Sequence, residues 1–371
     1  MNRLGIFIFY DACGIVDQYV EVLLEGLLTV LNKLVIVING NITNTSERKL
    51  RRYSANIFAR ENIGFDGGGY KDALLNLKEN EKWEQWDEVI FCNDTFYGAI
   101  FPWKQVFDRM QKEENVDFWG LSRYPGDDLG EKGFNYPSHI QSYFLVCRKR
   151  LLLNPVFWNF WTMLKYPDSR ENATRDFEVK FTTYFSEKGY LGKAYMDICD
   201  NKIVLEHKGS PYMHYAYELL KELRFPIIKR NALVITNFKV AQRAMEYIDK
   251  YSNYNVNLIY DHLKRLAKEN RIKSFNPGRL EDFYNSHSRV FIYGYGEYGQ
   301  NVEAYFKYKG WRYEGIIVSV KDIRSSDVYT YDEVQFKEND GIVLALGKNA
   351  YQEVYSKIGS DFTKNQILAL F

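Results

Sequence analysis

Charge of one sign is almost absent from this 371-residue sequence: 49 lysines and arginines face 48 aspartates and glutamates, a formal net charge of +1. That balance excludes a protein that coats nucleic acid over its whole surface, and no nucleic-acid partner is expected. Cysteine is equally scarce. The four present, Cys13, Cys92, Cys147 and Cys199, form no Cys-x-x-Cys pair, so neither a disulfide framework nor a zinc site is indicated. Cys92 and Cys147 fall inside apolar, strand-like runs and read as buried thiols of a reducing cytoplasm. No apolar stretch approaches the roughly 20 residues that cross a bilayer. The apolar run in MNRLGIFIFYDACG is too short for a signal peptide and reads as a first strand. The expectation is a cytoplasmic protein, soluble or peripherally attached at the membrane face. Internal repeats and low-complexity tracts are also missing.

Apolar material is ample, at 46% of residues, and aromatics reach 17%, mostly 30 Tyr and 25 Phe. Such aromatics suit sugar or base stacking, and equally cores and interfaces. The first two-thirds of the chain alternate compact apolar runs with segments of helical spacing. Strand-like runs cover 4–11, 33–40, 54–64, 87–94 and 117–124; helical spacing covers 16–31, 71–80 and 103–114. This alternation predicts an α/β fold with a mostly parallel sheet and helices on both faces. Ligands of such sheets sit beyond the carboxyl ends of the strands. The polar loops at 11–14, 62–69 and 93–98 follow those ends and are expected to line one crevice. A Gly-, Asp- and Pro-rich loop follows at 126–139, then strand character at 140–152, and at 174–195 a helix stopped by Gly189 and a further strand. Polar helical sequence from about 238 to 285 precedes a fresh β/α unit. The expected domains are residues 1–235, a helical linker at 236–285, and a smaller Rossmann-like α/β domain at 286–371.

Three stretches carry chemistry. In RENIGFDGGGYKDAL, residues 60–74, glycines at 64, 67, 68 and 69 permit positive φ and close approach by a ligand. A helix beginning at 70–72 would offer amides to a diphosphate or ribose. Asn62 and Asp66 could bond a base or sugar, and Arg60 a phosphate. The same stretch also reads as a strand-to-helix turn punctuated by glycines. In VIFCNDTFYGAIFPW, a strand delivers Asn93, Asp94 and Thr95 to its end, where Asp94 could hold Mg²⁺ or Mn²⁺ on a diphosphate; a local turn capped by Asp94 is the alternative. In TRDFEVKF, Asp176 and Glu178 offer a general base, or ordinary acidic charge at a helix start.

Six segments in order resemble the rhamnan synthesis protein F family of bacterial glycosyltransferases: RENIGFDGGGYKDAL, VIFCNDTFYGAIFPW, DFWGLS, HIQSYFLVCRKRLL, FEVKFTTYFSEKGY and FPIIKRNAL. The resemblance spans roughly residues 4–235. It implies a GT-A-like nucleotide-sugar fold and transfer of a sugar, often rhamnose from its dTDP donor, to a growing surface polysaccharide or lipid-linked glycan. By resemblance, Tyr10, Asp11, Arg60, Asn62, Gly64, Asp66 and Gly68 would belong to the donor-nucleotide site. Asn93-Asp94-Thr95 would stand where such enzymes carry an Asp-x-Asp metal motif, with Asn and Thr in its outer places. Glu178 lies eleven residues before Gly189-Tyr190, the spacing at which inverting relatives carry their base, with Asp176 the alternate. His139, Gln141 and Ser142 would face the donor or acceptor sugar. Arg148, Lys149 and Arg150, or Lys229 and Arg230, would supply cations to the leaving group or to anionic lipid, and His207 or His214 a late metal ligand. A degenerate transferase fold serving as a scaffold is the alternative of a different class.

In the last domain, Gly294-x-Gly296-x-x-Gly299 follows a strand and precedes a helix, the setting of a dinucleotide-binding turn. The expected second strand ends at Val318-Ser319 where a ribose-binding acid would stand, with Asp322 beyond it. This favours an accessory domain, for a nucleotide or for dimerisation, over a working dehydrogenase.

Overall fold

The computed structural model describes residues 1–126, 136–197, 211–234, 238–269, 271, 277–320, 327–363 and 365–369. Cys199, His207, Asp322 and most of the 126–139 loop lie outside the described residues. The chain forms two compact units: Met1–Arg230 with Tyr251–Tyr254, and Asn231–Lys250 with Asn255–Phe371.

In the first unit the strands are β1 (Arg3–Phe9), β2 (Lys33–Asn39), β3 (Asn56–Arg60), β4 (Glu88–Asn93), β5 (Phe96–Gly98), β6 (Phe118–Tyr124), β7 (His139–Ile140), β8 (Phe144–Arg148), β9 (Gly192–Met196) and β10 (Ile227–Lys229). The main sheet runs β3-β2-β1-β4-β8-β6-β7, with β9 paired to β6. Strands β1 to β4 are mutually parallel where they pair, and β8 lies antiparallel between β4 and β6. Burial on both faces explains why β1, β2 and β4 read as unbroken apolar runs. The first crossover helix, α1 (Gln18–Leu28), turns Tyr19, Val20, Leu23, Leu24 and Leu27 inward at helical spacing. The second, α2 (Asn44–Leu50), starts where the Thr43 hydroxyl accepts from the Ser46 amide.

The third helix differs from the sequence expectation. It is α3 (Phe65–Leu77), so Gly67, Gly68 and Gly69 are helical residues rather than loop residues. Gly64 precedes them at φ +75°, a conformation that favours glycine.

The core on one face of the sheet joins Phe91, Phe118, Phe157, Trp161, Phe177 and Phe181 with aliphatic residues of β1, β2 and β4. Strands β5 and β10 form a separate antiparallel pair, Lys229 opposite Phe96. In the second unit, five strands pair in parallel: β11 (Arg289–Tyr293), β12 (Gly315–Val318), β13 (Val328–Thr330), β14 (Asp340–Leu344) and β15 (Ile367–Ala369). Their order, β13-β12-β11-β14-β15, is that of a doubly wound sheet with the first strand central.

Candidate active site

Because β1 to β4 are parallel neighbours, their carboxyl ends share one edge, and the loops after them meet there. Asn93, the last residue of β4, donates its side-chain amide to Asp66 at 2.7 Å. Its oxygen accepts from the Thr95 amide at 3.1 Å and the Thr95 hydroxyl at 2.7 Å. Asp94 is 5% exposed. Burial pushes its carboxyl up to about 7; the Arg230 charge opposes this, Asp66 adds to it, and hydrogen bonds from its own backbone and from that at Tyr10 oppose it. Asp66 is raised to about 6, chiefly by burial, with the Asn93 bond opposing and the Glu178 charge adding. Asp66, Asp94 and Glu178 therefore share one electrostatic environment.

Glu178 sits in a π turn, Thr174–Val179, between two α-helical stretches. The wider turn separates the two acidic side chains. Asp176 turns outward and pairs with Arg175 at 2.8 Å, whereas Glu178 turns inward. Its Oε1 meets His139 Nε2 at 3.0 Å; its Oε2 accepts from the Ser142 amide at 2.7 Å and from the Ser142 hydroxyl. Burial alone would raise the Glu178 carboxyl, but the His139 bond and charge, Lys229 and Ser142 outweigh it and bring it down to about 2. The carboxylate is therefore ionised at any physiological pH. Each of its oxygens has two acceptor positions, so Oε1 keeps one beyond His139.

The 139–142 stretch, expected to face the sugar, makes its bonds within the protein. His139 is 2% exposed, donates from Nδ1 to the Pro137 carbonyl at 2.8 Å and stacks on Tyr124. Gln141 accepts from the Ser122 hydroxyl at 2.8 Å, which also meets the Tyr143 hydroxyl at 2.6 Å. His139 and Ser142 thus hold the carboxylate, and Gln141 is spent on the strand beneath. Ser122 and Tyr143 carried no signal in the sequence beyond apolar strand context.

The glycines of the 60–74 stretch pack against the protein itself. A Cβ at Gly67 would stand 2.8 Å from the Phe177 ring, at Gly68 2.4 Å from the Ile63 carbonyl oxygen, and at Gly69 2.8 Å from Ile8. What approaches these backbones closely is the protein's own interior. Arg60 is also committed: it pairs with Asp72 at 2.6 Å, reaches the Ile63 carbonyl at 2.7 Å and bonds Asn39. It fastens the loop to β2 and α3. Asn39 donates to Asn62 at 2.7 Å. Asp11, 6% exposed, caps the Cys13 and Ile15 amides at 2.9 and 3.1 Å. Tyr10 remains 42% exposed at the end of β1, and a Cβ at Gly40 would lie 3.7 Å from its ring.

Of the two basic clusters, Arg148 and Arg150 are structural, paired with Glu88 and Asp117. Lys229 and Arg230 instead stand beside the Asn93-Asp94-Thr95 turn, because β10 pairs with the strand that follows it. His214 ends the short helix Pro211–His214. Among the described residues no three His, Cys, Asp or Glu side chains group as metal ligands. None of the helices described is long and apolar enough to cross a membrane.

In the second unit Gly294 has φ +102°, and a Cβ at Gly299 would fall 1.9 Å from the Gly294 carbonyl oxygen. The third glycine of that turn is required by helix–strand packing. Strand β12 ends at Val318.

An uncharacterized protein y4gN of Sinorhizobium fredii is 26% identical over 192 residues, half of this chain and 46% of its own length. Virulence protein VirA of Vibrio anguillarum is 27% identical over 130 residues, 35% of this chain and 38% of its own. The chain thus spans less than half the length of either relative. Among solved structures, glucosyl-3-phosphoglycerate synthase of Mycobacterium tuberculosis, in complex with Mn²⁺, uridine diphosphate and glucosyl-3-phosphoglycerate, aligns at 13% identity with a TM-score of 0.26, over 40% of this chain and 58% of that one. The family model for rhamnan synthesis protein F matches residues 34–286, a span that runs from within β2 through β10 and takes in the loops after β2, β3 and β4. By that match, the chain belongs to the rhamnan synthesis protein F family.

Proposed function

We propose that the first unit is an inverting glycosyltransferase. It moves a sugar from a nucleotide-sugar donor to a surface polysaccharide or its lipid-linked precursor, with dTDP-rhamnose the first donor to try. The observation that carries this reading is the ionised, inward-turned Glu178, held by His139 and Ser142 at the edge where the strands end.

In this reading Glu178 takes the proton from the acceptor hydroxyl through the free position on Oε1. The acceptor oxygen bonds the anomeric carbon from the face opposite the leaving group, and the bond from that carbon to the phosphate oxygen breaks. The electron pair leaves with the nucleoside diphosphate, and the anomeric configuration inverts. His139 and Ser142 orient the carboxylate, so the base needs no reorganisation at the moment of attack. Asp176, paired with Arg175 at the surface, takes no part.

The test is a thermal-shift panel of nucleotide sugars on the wild type and on Glu178→Gln. A ligand at ~100 times its dissociation constant adds about 2.7 kcal/mol of stability. One donor is expected to raise the melting temperature of both proteins. Transfer by the variant is expected to fall by about 10²-fold or more, the scale of general-base loss. Normal transfer by the variant would remove Glu178 from the role. Silence across the panel, with an intact melting transition, would favour a scaffold, the reading that the Asn and Thr flanking Asp94 also suit.

A further inference from the structure

Lys229 and Arg230 close β10, and the pairing of β10 with β5 fixes where they stand. Lys229 is opposite Phe96, and the Arg230 amide donates to the Thr95 carbonyl at 3.2 Å. Both side chains are half-buried. Lys229 lies 4.0 Å from the Tyr143 ring centroid and feels the charge of Glu178; Arg230 feels the charges of Asp94 and Asp11. Among the described residues, neither side chain donates a hydrogen bond or forms an ion pair. Arg60, Arg148 and Arg150 differ in this respect, since each is spent on a carboxylate. Leaving two half-buried cations without acceptors costs free energy that an incoming anion removes.

Transferases of this fold commonly hold a divalent ion at the turn after β4, and the donor set here does not fit one. Asn93 spends its amide on Asp66 and its oxygen on Thr95. Asp94 is left as the turn's own carboxylate; Asp66 beside it is already held by the Asn93 amide, and the Arg230 guanidinium is the positive charge acting on Asp94. We infer that Lys229 and Arg230, in place of a divalent cation, bind the diphosphate of the nucleotide donor and hold its charge as it leaves. Their N–H groups would make charge-assisted bonds to phosphate oxygens and would stabilise the negative charge that develops there. This inference rests on the glycosyltransferase reading.

The experiment is calorimetric titration of the full chain with UDP, dTDP, GDP and CDP, each in EDTA and in Mn²⁺. The best diphosphate is expected to bind in EDTA within about threefold of its affinity in Mn²⁺. Lys229→Met and Arg230→Gln are each expected to weaken it by about tenfold or more, equivalent to about 1.4 kcal/mol. Arg230→Lys is expected to recover part of the loss. Should either neutral variant fail to fold, Lys229→Arg, Arg230→Lys and the salt dependence of wild-type binding carry the test. Binding that appears only with Mn²⁺ would overturn the inference, as would full affinity in the folded variants. Absence of binding by every diphosphate in both conditions would instead overturn the donor reading on which it rests.

Discussion

Asp94 is a buried carboxylate and Glu178 a half-buried one, and their environments push them in opposite directions. Asp94 is raised from 3.8 to about 7, mainly by burial. A raised carboxyl stabilises the fold fully below pH 3.8, and that contribution is lost as pH rises through about 7. Glu178, lowered from 4.5 to about 2 by partners that outweigh its burial, contributes stability above pH 4.5 that is lost as pH falls through about 2. Replacing Asp94 by Asn removes the first dependence. The unfolding free energy of Asp94→Asn relative to wild type, followed by chemical denaturation, is therefore expected to climb between pH 5 and pH 8, by an increment on the order of 1–3 kcal/mol. A gap that stays constant with pH would mean that Asp94 is not desolvated as described. At this scale the sequence indicated which carboxylates to watch. It could not assign His139 and Ser142 as the holders of Glu178, because the contact depends on a turn packing against a stretch nearly forty residues away.

Helix α3 shows how an element can contradict its own propensities. Three consecutive glycines cost about 1 kcal/mol each against alanine in a helix, and the sequence accordingly reads as a loop. Packing overrides this, since the Phe177 ring, the Ile63 carbonyl and Ile8 leave no room for side chains at Gly67, Gly68 and Gly69. Gly68→Ala, which ought to stabilise an isolated helix, is expected to destabilise the protein by about 1–3 kcal/mol, as overpacking does. Chemical denaturation would measure it, and an unchanged or raised midpoint would return the glycines to a ligand-facing role. The pairing of β5 with β10 was hidden for a related reason. Each is three residues long, too short for a pattern of its own, and the two are distant in sequence. Their pairing selects Lys229 and Arg230 from the cations the sequence offered.

For the whole molecule, the units Met1–Arg230 and Asn231 onward each carry their own sheet, and the proposed chemistry belongs to the first. Gly299→Ala places a methyl group 1.9 Å from the Gly294 carbonyl oxygen. It is expected to lower the melting temperature of the second unit while nucleoside diphosphate affinity stays within about twofold, as for independent sites. A parallel loss of affinity would refute placing the donor site in the first unit alone. The α/β alternation, the buried strands and the glycine-bearing turn at 294–299 were all legible, because each is written in local periodicity.

By itself the sequence determined the succession of strands and helices, the edge at which their loops meet, and the family whose motifs it carries. Burial on a parallel sheet and turn chemistry impose those patterns residue by residue. The tertiary structure decided which polar groups are spent and which are left over. Arg60, Asp11, Gln141 and the glycines went to the fold. Glu178 went to a cradle of His139 and Ser142, and Lys229 and Arg230 were left without acceptors among the described residues. That division depends on contacts between segments far apart in the chain, whose closure no local pattern records.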